Sequence, residues 1–478
     1  MSDQDGFGRK VRSRQFSRRQ FLGFTAVGAS AALLAACQSA APPPATTAPA
    51  AAQPTAAAAE APKPTEAPKP TEAAKAAASG EPVVYWGSDD WFGQADKGEA
   101  YKKTIAGVVA EIGVQVDYRI VDYTTLGQQL PIILASDKFT ADILPMWVTL
   151  TVDSARQGKL LSLDDFVSPD FMKQVLPSLR EELKGAVYGL SVWPSWIIGF
   201  YNKDLYQKAG LDPEKGPATL AEMEEHIKKL QPVSQMAYLD TWSESAWIRP
   251  FETSVYAKDG RYYQGGTKED PDKITWNFTA PEVKEAVSWM KHMYQDKLLA
   301  PDSLNLGQQD IADRFALGDI GMTFNWDGFA SILEKPATSK VVGKIGAFGF
   351  PGDEPGKAVA FYDAEIMVMP KTARNPVGAG KFIEAVESAK IQKERAISMY
   401  YNPLFADLYQ DPDVQKRLFY WKVIEEVAPR TIGKNFHPAA GEITTYLVGK
   451  LQEAVLGQTD IDTALADVQK FAEEKSKE

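Results

Sequence analysis

"PVVYWGSDDWFGQADKGEAYKKTIAGVVAEIGVQVDYRIVDY", Pro82 to Tyr123, decides the fold class. Its opening six residues form a short apolar run, which predicts a buried strand. The run from Glu99 places Ile105, Val108, Val109 and Ile112 at helical spacing on one face. Val114 to Tyr123 then alternates, as a strand does. Downstream, "TLGQQLPIILASD" predicts a second helix, with Pro131 as its weak point because proline removes an N–H donor. "ADILPMW", Ala141 to Trp147, predicts a third strand. The order β-α-β-α-β implies an α/β fold with parallel strands and helices on both faces.

The later chain keeps the mixture. Leu220, Met223, Ile227 and Leu230 form a stripe behind Thr219 and Glu222, which stand in capping-box register. Thr279 and Glu282 have the same spacing ahead of Val283, Ala286, Val287, Met290 and Tyr294. Asp259-Gly260 predicts a hairpin turn. Near the C-terminus Ile461, Leu465, Val468 and Phe471 share a face. The 398 residues from 81 to 478 exceed one comfortable core and predict two lobes.

The first eighty residues are of another kind. Phe21 to Ala36 is apolar, preceded by arginines and short for a bilayer span, the layout of a signal peptide over residues 1–36. "SRRQFL" (Ser17–Leu22) resembles the twin-arginine export signal, and "LAAC" (Leu34–Cys37) resembles a lipobox. The alternative is a chance Arg-Arg with a structural cysteine. Cys37 is the only cysteine, so it has no internal disulfide partner, and lipid attachment accounts for it better. Residues 37–80 are rich in Ala, Pro, Thr, Glu and Lys, with "APKPTE" repeated at Ala61 and Ala67. Such a segment cannot bury a core and is expected to be a tether. At roughly 3 Å per residue it reaches on the order of 100 Å. Removing the basic leader takes the net charge from −11 to −15, which disfavours nucleic acid and anionic lipid as partners. Nothing after Cys37 resembles a membrane span, so the lipid is the expected anchor.

Catalytic signatures are weak. His226, His292 and His437 are scattered and read as surface residues. There is no Cys/His spacing for a metal, no phosphate-binding glycine loop and no nucleophile elbow, so no cofactor or metal is expected. The acidic pairs Asp89-Asp90 and Asp363/Glu365 leave open a glycoside hydrolase, which needs two carboxylates across a sugar.

Aromatic residues carry the positive signal. Many of the 11 tryptophans fall at predicted strand ends or turns beside acids. "WGSDDWF" offers Trp86, Asp89, Asp90 and Trp91, and Trp147 ends the third strand. "VWPSW" offers Trp193 and Trp196, and "TWSESAW" offers Trp242 and Trp247. "NWDGF" offers Trp326 and Asp327, and "FYDAE" offers Tyr362 and Asp363. A sugar stacks its C–H face on an aromatic ring and donates rim hydroxyls to carboxylates, so these residues are the candidate ligand-binding set. The competing reading is that the tryptophans are core packing. In an open α/β sheet the ligand lies beyond the carboxyl ends of the strands.

These stretches resemble the extracellular solute-binding proteins of carbohydrate ABC importers, the group that includes maltose-binding protein. "FALGDIGMTFNWDGF" (Phe315–Phe329) resembles the family phrase F-x-x-G-x-A-A-M-x-x-x-G-x-W through Phe315, Gly318 and Met322. Ile320 and Gly321 replace the usual alanines, and Asn325-Trp326 departs from the expected spacing. "YGLSVWPSWIIGFYNKDLYQKAGL" (Tyr188–Leu211), "ARQGKLLSLDDFV" and "GPATLAEM" resemble further family phrases in the same order. The resemblance implies a two-lobed, hinged periplasmic-binding-protein-like fold, without catalysis. It places interlobe crossings near Val192–Trp196, Phe361–Asp363 and Asn402–Ala406. The lobes are then discontinuous: 81–192 with 362–405, and 193–361 with 406–478. It also implies an extracytoplasmic monomer, lipid-anchored through Cys37 to the outer face of the membrane, that passes a carbohydrate, expected to be an oligosaccharide, to an ABC permease. A surface carbohydrate adhesin is the other non-enzymatic reading.

Overall fold

The structure, a computed structural model, describes residues 80–88, 98–121, 123–136 and 140–477. Cys37, Asp89, Asp90 and Trp91 lie outside them. Strand β1 (Val83–Ser88) pairs in parallel with β2 (Val116–Val121), Val83 opposite Val116. A parallel bridge from Tyr85 to Ile143 brings in β3 (Leu144–Trp147) on the other side. The intervening helix Gly98–Glu111 buries Ile105 and Val109, as its periodicity predicts. The helix Tyr123–Leu134 runs through Pro131. Its buried stripe of Leu126, Leu130 and Ile133 outweighs the lost backbone bond.

The main sheet has the order β3-β11-β5-β9-β6, with β4 and β10 also pairing β5. β4 is Arg180–Leu183, β5 Ala186–Asn202 and β6 Met236–Tyr238. A separate hairpin joins β7 (Tyr263–Gly265) to β8 (Ile274–Trp276). β9 is Ile320–Trp326, β10 Ile345–Phe348 and β11 Phe361–Val368. β5 is 17 residues long and is shared by two bodies of apolar packing. Its first half, with β3 and the far end of β11, faces cores around Val167, Leu190, Ile366 and Phe382. Its second half, with β9 and β10, faces cores around Phe200, Tyr238, Phe251 and Met290. β11 runs antiparallel to β5 from Phe361 opposite Ile197 to Val368 opposite Gly189. A bulge falls between Glu365 and Ile366, leaving Val192 as the extra residue on β5. A third segment joins them, because Asn402 Nδ2 donates to Pro194 O at 3.1 Å. The two bodies also touch at one rim: Arg156 Nε donates to Lys268 O at 3.1 Å, and Phe436 packs on the core of the first body.

Of the three caps and turns expected from the sequence, one forms as expected. Thr219 accepts from Glu222 N at 3.1 Å, and Glu222 returns a bond to Ala218 N at 2.8 Å, one residue short of the reciprocal box. The spacing at Thr279 does not make a cap. Pro281 stands at the first helical position of Pro281–Gln295, so the N-cap falls on Ala280, which has no side-chain acceptor. Asp259-Gly260 is not a hairpin turn either. Asp259 takes a positive φ of 54° just past the helix Ile248–Ala257, and Gly260 N bonds back to Val255 O at 3.0 Å. The pair ends that helix, and the hairpin lies beyond it.

His437 corrects the expectation of three surface histidines. It is 7% exposed, and its Nδ1 accepts at 3.1 Å from the amide of Ala439, the residue just ahead of the helix Ala440–Val455.

The helices Pro376–Val386 and Ala389–Met399 share a buried ion pair. Arg395 Nη1 and Nη2 donate to Glu387 Oε1 and Oε2 at 2.9 and 2.6 Å, with both side chains at most 2% exposed. Beside it, Gln392 Oε1 accepts from Leu404 N and Phe405 N at 2.8 and 3.1 Å. The polar knot thereby anchors the segment that carries Asn402. Removing one charge strands the other in low dielectric. Arg395→Leu is expected to cost about 3–5 kcal/mol, and adding Glu387→Leu to recover most of it. Urea unfolding of the single and double variants measures this, and a single variant within 1 kcal/mol of the parent contradicts it.

Candidate functional site

Where β3, β5, β9 and β11 end or bend, the chain leaves a cavity of about 400 Å³. That is ample for a small-molecule site. Strand register brings its walls together. Glu365 on β11 lies opposite Trp147 on β3 and opposite Trp193 on β5, so two indoles flank one carboxylate. Trp326 closes β9 opposite Ile197. Trp193 packs against Tyr401, ring centroids 4.3 Å apart at 33°. Gly328 lies beside this indole, where an added Cβ would stand at ordinary contact distance, 3.7 Å from Trp193 Nε1. On the other wall a Cβ at Gly127 would meet the Trp147 ring at 2.9 Å, so glycine lets that indole lie against the helix.

The polar groups are held in place. Trp326 Nε1 donates to Gln308 Oε1 at 3.1 Å, and the Arg249 guanidinium lies 5.2 Å from the Trp326 ring. Asp363 Oδ2 pairs with Lys434 Nζ at 3.1 Å, and Asp363 Oδ1 accepts from Ala364 N at 2.9 Å. Gln309, Ser195 and Ser331 add to the polar lining. The arrangement offers flat apolar faces, carboxylate acceptors and amide groups around one cavity.

Of the residues singled out above, Trp147, Trp193, Trp326 and Asp363 line this cavity. Glu365 of the second acidic pair lines it too, and the other described candidates are elsewhere. Trp242 and Trp247 are 0% and 2% exposed and pack on each other in the core, 5.4 Å between centroids. Trp196 is turned away, its Nε1 donating to Thr431 Oγ1 at 3.2 Å. Tyr362 packs on Trp196, centroids 5.1 Å apart with the rings tilted at 46°, and its OH donates to Ser191 Oγ at 3.3 Å. Trp86 packs half-buried on the first body's core. Asp327 is 1% exposed and cannot meet a ligand. Its Oδ1 accepts from Ser195 Oγ (2.5 Å) and Gly328 N (2.7 Å), and its Oδ2 from Trp196 N (3.2 Å) and Asn402 Nδ2 (2.5 Å). Burial pushes its pKa up to about 6 against those four bonds. Sequence reasoning missed Arg249, Gln308 and Tyr401. Each sits in an element without a motif, and only the tertiary fold brings it to the wall.

Two further acids are buried near the Asp363–Lys434 pair. Burial raises Glu181 on β4 and Glu252 on the helix Ile248–Ala257 to about 7 each. Glu252 also accepts from Tyr262 OH at 2.5 Å. A carboxyl whose native pKa lies above its unfolded value binds more protons when folded. Its contribution is therefore fully present below about pH 4.5 and is lost as pH rises through about 7. Glu252→Gln removes the charge and keeps an acceptor for Tyr262. It is expected to stabilise the protein at pH 8 by on the order of 3 kcal/mol, with no gain below about pH 4.5. Denaturant melts across that range decide it, and a pH-independent difference contradicts the assignment.

The sequence profile of the bacterial extracellular solute-binding proteins matches residues 94–393. A putative binding protein of Brucella abortus is 22% identical over 274 residues, 57% of this chain and 64% of its own length. A probable ABC transporter-binding protein of Deinococcus radiodurans is 24% identical over 249 residues, 49% of this chain and 55% of its own. Both matches thus span less than two thirds of those relatives. Among solved structures, maltose-bound MalE3 of T. maritima superposes with a TM-score of 0.70 at 17% identity, covering 81% of this chain and 98% of that one. The GacH receptor of Streptomyces glaucescens, solved unliganded and with acarbose, gives 0.68 at 17% identity, covering 83% and 98%. The fold is the two-lobed periplasmic-binding-protein fold, and the chain belongs to the bacterial extracellular solute-binding protein family.

Proposed function

We propose that this protein is the substrate-binding component of an ABC importer and captures a carbohydrate. The observation that carries the reading is the cavity wall, where Trp147, Trp193 and Trp326 stand beside Asp363 and Glu365. Indoles take the apolar face of a pyranose, and carboxylates accept from its hydroxyls with charge-assisted bonds. The structural neighbours named above are solved with maltose and acarbose, which supports an oligosaccharide. A cavity of about 400 Å³ has room for more than one sugar ring. The glycoside-hydrolase alternative rests on Asp363 and Glu365, and Lys434 pairs with Asp363, which favours a binding role for that carboxylate over acid–base chemistry.

Capture works by closure. The lobes, 81–192 with 362–405 and 193–361 with 406–478, are joined by β5, β11 and the Asn402 segment, which act as the hinge. A ligand touching both walls shifts the population toward the closed form by its preference for that form. The tether from Cys37 to residue 80 holds the receptor outside the membrane, where a permease collects the sugar.

Two experiments test this reading. Calorimetry against mono-, di- and oligosaccharides is expected to find a binder whose affinity falls tenfold or more in Trp193→Ala, about 1.4 kcal/mol. Silence across the panel, with binding to a peptide or metal instead, overturns it. Cys37→Ala is expected to move the protein from the membrane to the soluble fraction with sugar affinity unchanged. Buried acyl chain contributes about 0.8 kcal/mol per methylene, and among the described residues no helix is long and apolar enough to cross a membrane. Retention of that variant in the membrane contradicts the anchor.

A further inference from the structure

Behind the ligand cavity lies a second, smaller one of about 20 Å³. Arg249 and Gln308 line both and so form the partition between them. Both partition side chains also touch Trp326, one through its ring face and one through its Nε1. Asp240, Thr241 and Thr253 bring polar groups to a wall they share with Ile197, Pro250, Phe324 and Phe350.

Those three groups have hydrogen-bonding capacity left over. Thr241 is 6% exposed, and its hydroxyl is buried with no hydrogen-bond partner in the protein. A buried hydroxyl left so costs about 1–3 kcal/mol. Asp240 accepts from Tyr238 OH (2.8 Å), Trp242 Nε1 (3.2 Å) and Thr241 N (2.7 Å). A carboxylate offers about four acceptor sites, so one stays open. Thr253 Oγ1 donates to Arg249 O at 2.8 Å and keeps its lone pairs. A water needs about 10–15 Å³ of such space and two to four polar partners, and an apolar cavity of this size would stay dry. The chamber meets both conditions and is too small for a hydroxymethyl group and its bonded carbons.

We propose that this chamber is a specific hydration site, in which one water bonds Thr241 and Asp240 and positions Arg249 over Trp326 at the ligand wall. Thr241 is then a positioning residue. It never touches the ligand, but it fixes the cation that orders the aromatic wall. The effect on affinity rests on the carbohydrate-binding reading; the water does not.

The test uses the mature full chain. A crystal structure at a resolution that shows ordered water is expected to contain one water within hydrogen-bond distance of Thr241 Oγ1. In Thr241→Val that water is expected to be gone, with Arg249 in a new rotamer. Thr241→Ser is expected to keep both. Calorimetry with the best saccharide of the panel is expected to show a three- to tenfold loss for Thr241→Val and less than a twofold change for Thr241→Ser. The serine variant separates lost hydration from misfolding. A dry chamber in the parent overturns the proposal, and so does a valine variant in which Arg249 keeps its place and affinity is unchanged. If no saccharide binds any variant, the carbohydrate reading fails, and the crystal structures alone decide the water.

Discussion

One buried carboxylate holds the centre of this protein together. Asp327 accepts hydrogen bonds from β5 at Ser195 and Trp196, from its own turn at Gly328, and from Asn402 in the third connecting segment. Burying the charge is unfavourable, as its raised pKa of about 6 records, and it is tolerated because both oxygens are satisfied. The consequence is geometric. Trp326 and Gly328 flank Asp327, and Gly328 lies against Trp193. Fixing Asp327 therefore sets the relative position of two indoles that face the cavity. The same anchor ties together the β5 and Asn402 segments. The proposed hinge would thus have a fixed point near the site.

Much of the architecture was legible in the chain. The β-α-β-α-β start follows from apolar periods of two and 3.6, and the stripe behind Thr219 is buried as its spacing predicts, while near the C-terminus Leu465 and Val468 are buried and Ile461 and Phe471 half-buried. The cap at Thr279 failed because a proline two residues on fixes the helix start and overrides the spacing. Asp259-Gly260 failed because an Asp-Gly pair suits any backbone turn with positive φ, and a helix end needs one as much as a hairpin does.

The site was legible only by half, and strand geometry explains which half. Successive residues on a strand face opposite sides. Asp363 and Glu365 therefore reach the cavity while Tyr362 turns to Trp196, and Trp193 and Ser195 reach it while Trp196 turns into a core. Sequence proximity of an aromatic to an acid says nothing about which face each takes. Trp242 beside Asp240 is the clearest case. That pairing satisfies an indole N–H inside the core and contacts no ligand wall. Arg249, Gln308 and Tyr401 come from three distant elements, so no local pattern announces them.

The account stands on where a sugar sits. A crystal structure of the protein with a bound saccharide is the most direct measurement. The account predicts a pyranose ring with its face against Trp193, Trp147 or Trp326, hydroxyls at Asp363 or Glu365, and Asp327 still sealed beneath its four donors. A saccharide bound outside this cavity, or one that reaches an exposed Asp327, would contradict it.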